Sequence, residues 1–97
     1  MGATVVVGVL QVELSIPGAD SLKAKRMVLR SVKDRIRKNF NVSVAEVEDN
    51  DHWQSAVLAV AMVSNDRRFA NQVLSKTVDF IENSRDLVVE DYQLGFY

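Results

Sequence analysis

Eight consecutive apolar residues, Ala56-Val57-Leu58-Ala59-Val60-Ala61-Met62-Val63, stand in this chain with no Gly or Pro among them. The run is too short to cross a bilayer as a helix. Its alternation of small and β-branched residues, between polar borders, makes it a strand, taken here as Trp53 to Ser64. That strand is apolar on both faces, so it belongs inside a sheet with something packed on each side. The remaining segments must supply both the sheet and its cover.

Thr4 to Ile16 reads as a first strand, with Val6, Leu10, Val12, Leu14 and Ile16 broadly alternating. Pro17-Gly18 ends it in a turn. Asp20 or Ser21 is placed to cap a first helix whose apolar stripe is Leu22, Val28, Leu29, Val32, Ile36 and Phe40. Val42 to Glu48 is the second strand, and the polar stretch from Glu48 to His52 suits a hairpin loop. After the third strand, Ser64 or Asn65 is expected to cap a second helix, roughly Asp66 to Ser84, with Ala70, Val73, Leu74, Thr77 and Ile81 on one face. Leu87 to Phe96 completes the set as a strand. The order β-α-β-β-α-β is that of an α+β, ferredoxin-like sandwich: a four-stranded antiparallel sheet with two helices on one face. Ninety-seven residues with one Pro and four Gly make a single domain over 1–97, without a linker.

Two helices cover only one side of such a sheet. Val5, Val7 and Val9 on the first strand, with the third strand's second apolar face, call for cover on the other side. The simplest cover is a second copy of the chain, so a homodimer or larger assembly through the sheet is expected. Ala and Val side chains leave only a modest patch, however, which a monomer tolerates.

Charge is divided unevenly. Ser21 to Phe40 carries eight of the twelve Lys and Arg residues against Asp34 alone, or +7, while the rest of the chain carries four bases and twelve acids, or −8. Lys23, Arg26, Arg30, Lys33 and Arg37 are spaced 3, 4, 3, 4 and so share one stripe beside the apolar face. At ~1.5 Å per residue that stripe runs ~21 Å, enough to meet several successive phosphates. The helix start also places Lys23, Lys25 and Arg26 where the macrodipole disfavours cations. Ser21, the free N–H groups of the first turn and these cations together offer a phosphate site. Acidic surface, from elsewhere in the chain or from another subunit, is the competing partner, with Lys25 then reaching past the helix end.

Several activities lose support. Strand one is Val-Val-Val-Gly-Val-Leu-Gln-Val, and strand three has no aromatic after Trp53, so the base-stacking platform of RNA-recognition motifs is missing. Neither a G-x-x-G loop nor a phosphate-binding G-x-x-x-x-G-K-[ST] occurs. With no Cys there are no disulfides or thiolates, in keeping with a cytoplasmic protein. Met1 to Leu10 lacks a signal peptide's basic n-region. No membrane association and no cofactor are expected, and no residue is assigned a catalytic role. Glu46, Glu48, Asp49, Asp51 and the lone His52 gather in the hairpin region, and Glu46, His52 and Trp53 form the alternative small-ligand site. Adjacent hairpin residues rarely converge on one ion, so metal binding is not expected. Trp53 is read as a plug at the core's edge, and Phe69, Phe80, Tyr92, Phe96 and Tyr97 as core or interface residues.

Ser21-Leu22-Lys23-Ala24-Lys25-Arg26 after Pro17-Gly18, then Asn41-Val42-Ser43-Val44-Ala45-Glu46-Val47, Asp51-His52-Trp53-Gln54 and Val63-Ser64-Asn65-Asp66, resemble the YlxP-like family of small uncharacterised bacterial proteins. The likeness runs over nearly the whole chain; the tail after Glu90 is its least family-like part. It implies a ferredoxin-like fold and no established activity. The genes of members often neighbour those for transcription elongation, translation initiation and ribosome-binding factor A, which implies a ribosome-assembly or RNA-linked role by association. The family's S-L-K-x-K-R stretch falls on Ser21, Leu22, Lys23, Lys25 and Arg26. The leading expectation is therefore a non-enzymatic RNA- or small-ribosomal-subunit-associated module. Its contacts would be Ser21, Lys23, Lys25, Arg26, Arg30, Lys33 and Arg37. A homo-oligomeric interaction module and an anionic-ligand domain are the alternatives.

Overall fold

The computed structural model describes residues 3–48 and 51–97. Its elements follow the expected order: β1 (Val6–Ser15), α1 (Leu22–Asn39), β2 (Ser43–Glu46), β3 (Ser55–Ser64), α2 (Arg67–Glu82) and β4 (Val88–Phe96). The strands form one antiparallel sheet in the order β2-β3-β1-β4, so β1 and β3 are central and the short β2 is an edge. The register places Leu10 opposite Val60 and Leu94, which fixes the face that the helices cover. Between Glu13 and Leu14 the pairing with β4 shifts by one residue at Glu90, whose carboxylate accepts from the Ser15 hydroxyl at 2.7 Å.

The core lies between that face and the helices. Leu10, Val12 and Leu14 of β1 and Leu58 and Val60 of β3 meet Leu29, Val32 and Ile36 of α1 and Leu74 and Ile81 of α2, all essentially inaccessible. Each such side chain contributes about 1.5–3 kcal/mol relative to exposure. The helices also join through Phe40 and Phe80, edge to face at 5.6 Å, with the Arg35 guanidinium 6.0 Å from the Phe80 ring.

Caps decide where the helices begin. The Ser21 hydroxyl accepts from the Ala24 N–H at 3.0 Å and starts α1. At α2 the capping residue is Asp66, whose carboxylate accepts from the Arg68 N–H at 2.9 Å, rather than Ser64 or Asn65. Ser64 instead accepts from the Asp66 N–H at 3.0 Å, fixing the turn before the cap. Within α2, Thr77 is wholly buried because its hydroxyl donates to the Val73 carbonyl at 2.8 Å.

Gly8 marks a close approach of α2 to β1. A Cβ built there would stand 2.8 Å from Leu74 Cδ1 and 3.5 Å from Ala70 Cβ. Gly8→Val should therefore destabilise the fold by about 1–3 kcal/mol through overpacking, as read by urea denaturation. A variant of unchanged stability would mean that α2 is free to lift from β1.

Candidate functional site

The α1 periodicity sets two adjoining faces. Lys25, Leu29, Val32 and Ile36 point into the core. Arg26, Arg30, Lys33 and Arg37, each one position further on, line a groove of ≈ 400 Å³ between α1 and β2, together with Leu29, Asp34 and Glu46. Lys23 continues the same outward stripe at the helix start and is exposed. The remaining bases of α1 go elsewhere: Arg35 turns toward Phe80, and Lys38 sits in the last turn, where it suits the helix dipole.

Within the groove Arg37 is a structural residue as well. It donates to the Val44 carbonyl at 3.0 Å and approaches Asp34 at 3.4 Å. It thereby occupies an acceptor of an edge strand that would otherwise invite another chain. Lys23, Arg26, Arg30 and Lys33 have no ion-pair partner among the described residues.

Two of the expected contacts carry structural bonds of their own. Lys25 is only 2% exposed, its ammonium donating to the His52 carbonyl at 3.0 Å and lying 3.8 Å from Glu46. Its place in the apolar stripe carries it inward, so it is not part of the outward basic surface. The Ser21 oxygen accepts the Ala24 N–H as the α1 cap, and its O–H is left to donate at the helix start. Gln54 secures the same corner by donating to the Pro17 and Ala19 carbonyls, both at 3.2 Å. These bonds fix the angle at which the basic stripe is presented.

The residues of the alternative site flank this buried lysine. Glu46 lies on the groove side, with its side chain 27% exposed, and His52 reaches Lys25 through its backbone. His52 and Trp53 line a separate open depression with Asp51, Gln54 and Ser55. Trp53 is 50% exposed, so it does not plug the core: β3 begins at Ser55 and leaves Trp53 in the loop. Phe69, Tyr92 and Tyr97 are likewise exposed, so of the core-or-interface reading only the interface part is left for them. Asp49 lies outside the described residues. Among the described residues, no three His, Cys, Asp or Glu side chains gather as a metal site, and no helix is long and apolar enough to cross a membrane.

A family described as "Protein of unknown function (DUF503)" matches residues 7–94. The uncharacterised protein YlxP of Bacillus subtilis (strain 168) is 35% identical over 77 residues, which covers 79% of this chain and 84% of that protein. Among solved structures, the de novo designed Foldit4 superposes with a TM-score of 0.55 at 10% identity, covering 96% of each chain. A de novo designed protein with ferredoxin fold gives 0.53 at 12% identity, covering 94% of this chain and 82% of its own. SnoaB, a cofactor-independent oxygenase from Streptomyces nogalater solved as a mutant, gives 0.51 at 13%, covering 95% and 90%. At these identities the structural likenesses speak for the fold alone.

Proposed function

This chain belongs to the DUF503 family of proteins of unknown function, the YlxP-like family that its motifs resemble, and for it we propose a non-enzymatic role in binding structured RNA or the small ribosomal subunit. Phosphates are held along the outer edge of α1 by Lys23, Arg26, Arg30, Lys33 and Arg37. The observation that carries this reading is the groove in which four of these cations converge, three of them without an ion-pair partner among the described residues. Like charges at i,i+4, as in Arg26 and Arg30, destabilise an isolated helix. A polyanion relieves that repulsion along the whole stripe at once.

The mode of binding follows from what surrounds the stripe. The groove is lined by no aromatic residue, so bases have nothing to stack on, and contact is through phosphates and shape. On the open face the two central strands carry Val7, Val9, Ala59, Ala61 and Val63 and so form no base-stacking platform, with Tyr97 lying beside them over Gly95. Weak sequence preference and strong salt dependence are the expected signature.

The test is titration of structured RNA and of small ribosomal subunits across a salt series. With three to five phosphates engaged, log K should fall against log salt with a slope of about −2 to −4.5. Reversing Arg26→Glu, Arg30→Glu and Lys33→Glu together should reduce the slope by about 2–3 and weaken binding at least about a hundredfold. Lys33 is preferred to Arg37 because Arg37 also holds Val44 and Asp34. Absence of binding at low salt, or binding that survives the three reversals, overturns the reading and leaves α1 as a surface for an acidic protein.

A further inference from the structure

The helices leave one face of the sheet open, and the register states what lies there. Ala59, Ala61 and Val63 of β3 stand beside Val7 and Val9 of β1, with Ala45 of β2 on the other flank. Charged groups are confined to one corner, where Gln11 and Glu13 pair with Gln93 and Asp91; elsewhere the face adds the small Ser43 opposite Ala61 and the exposed Tyr97, which pairs with Val7 and lies over Gly95. No Lys or Arg occurs in any of the four strands. A polyanion therefore finds no cation on this face, and an acidic corner repels it.

We infer that this face is covered by the same face of a second copy of the chain, related by a two-fold axis passing close to Ala61. An isologous contact needs a patch complementary to itself. Flat Ala and Val side chains meet that need at the centre, and Tyr97, lying over Gly95 at the edge, adds an exposed ring to the same contact. No charge has to lose water at the centre, and a two-fold through the apolar part leaves each acidic corner at the rim. Four strands of ten, four, ten and nine residues, at about 3.4 Å per residue and about 4.8 Å spacing, give about 540 Å² per copy. The total, about 1,100 Å², stands at the lower limit for a specific interface. A weak dimer that dissociates on dilution is the consequence. Its helices form the outer layers, so both basic stripes stay exposed. The inference is independent of what those stripes bind.

Sedimentation of the full chain over a concentration series tests it, alongside Ala61→Glu and Val63→Lys. The wild-type chain should pass from monomer to dimer as concentration rises. Ala61→Glu should raise the dissociation constant at least about tenfold while the far-ultraviolet circular dichroism is retained. Val63, 71% exposed on the same face, gives a second variant should Ala61→Glu disturb folding. A chain that stays monomeric throughout overturns the inference, as does a dimer that both variants leave intact. A dimer dissolved by Arg30→Glu but not by Val63→Lys also overturns it, by placing the interface on α1.

Discussion

Lys25→Glu should destabilise the fold by more than about 4 kcal/mol, a large share of the ~5–15 kcal/mol available to a domain of this size. The wild-type ammonium is buried, donates to a carbonyl and stands 3.8 Å from Glu46. A carboxylate there would face a carbonyl oxygen and a second carboxylate, both of the wrong sign, with little water to separate them. Lys25→Met separates charge from packing. The thioether chain fills the space of the lysine stem, and Glu46, which keeps contact with solvent, can hydrate; the cost should stay within about 1.5 kcal/mol. Urea denaturation of the two variants checks the ranking. A Met variant as unstable as the Glu variant would mean that the charge itself holds α1 to the loop before β3. The Met variant should also bind RNA as the wild-type chain does, because Lys25 is buried and does not line the groove. A loss of binding would restore Lys25 to the contact set.

The element order is legible in the sequence because each segment keeps one period: two in β1, between 3 and 4 in α1 and α2. The 3, 4, 3, 4 spacing of the basic stripe is legible for the same reason, and the groove follows from it once β2 is placed beside α1. What the sequence withholds are contacts between distant segments. Lys25 is visibly out of place in an apolar stripe, but its partners Glu46 and His52 come from far along the chain. Arg37 looks like one more member of the stripe, and its bond to the Val44 carbonyl depends on where the edge strand runs. Local choices among equivalent residues are equally hidden. Ser64, Asn65 and Asp66 are all good capping types, and the chain direction entering α2 selects Asp66. Trp53 resembles a core residue by composition, yet the strand starts two residues later and leaves it half outside.

Leu74→Ala should cost about 3–4 kcal/mol, since Leu74 is 0% exposed in a core whose members Leu10, Val60 and Ile81 are equally inaccessible. The cavity would open beside Gly8, whose missing Cβ is what lets Leu74 approach β1 so closely. Gly8→Val removes that same space from the other side. Combined, the two substitutions should not add: the valine methyls enter volume that the leucine vacates, and Gly8 has no positive φ to strain a branched residue. The double variant should therefore be more stable than the sum of the single effects predicts, by about 1–2 kcal/mol. Strict additivity would mean that β1 and α2 pack independently at this point. A favourable coupling would instead identify Gly8 and Leu74 as one packing unit, seating α2 over the central strand and bringing Phe80 under Phe40 and Arg35 of α1. The placement of α1, and with it of the basic stripe, rests partly on that contact. Leu74→Ala is accordingly expected to weaken RNA binding only as far as it unfolds the chain, and binding scaled to the folded fraction should match the wild-type value.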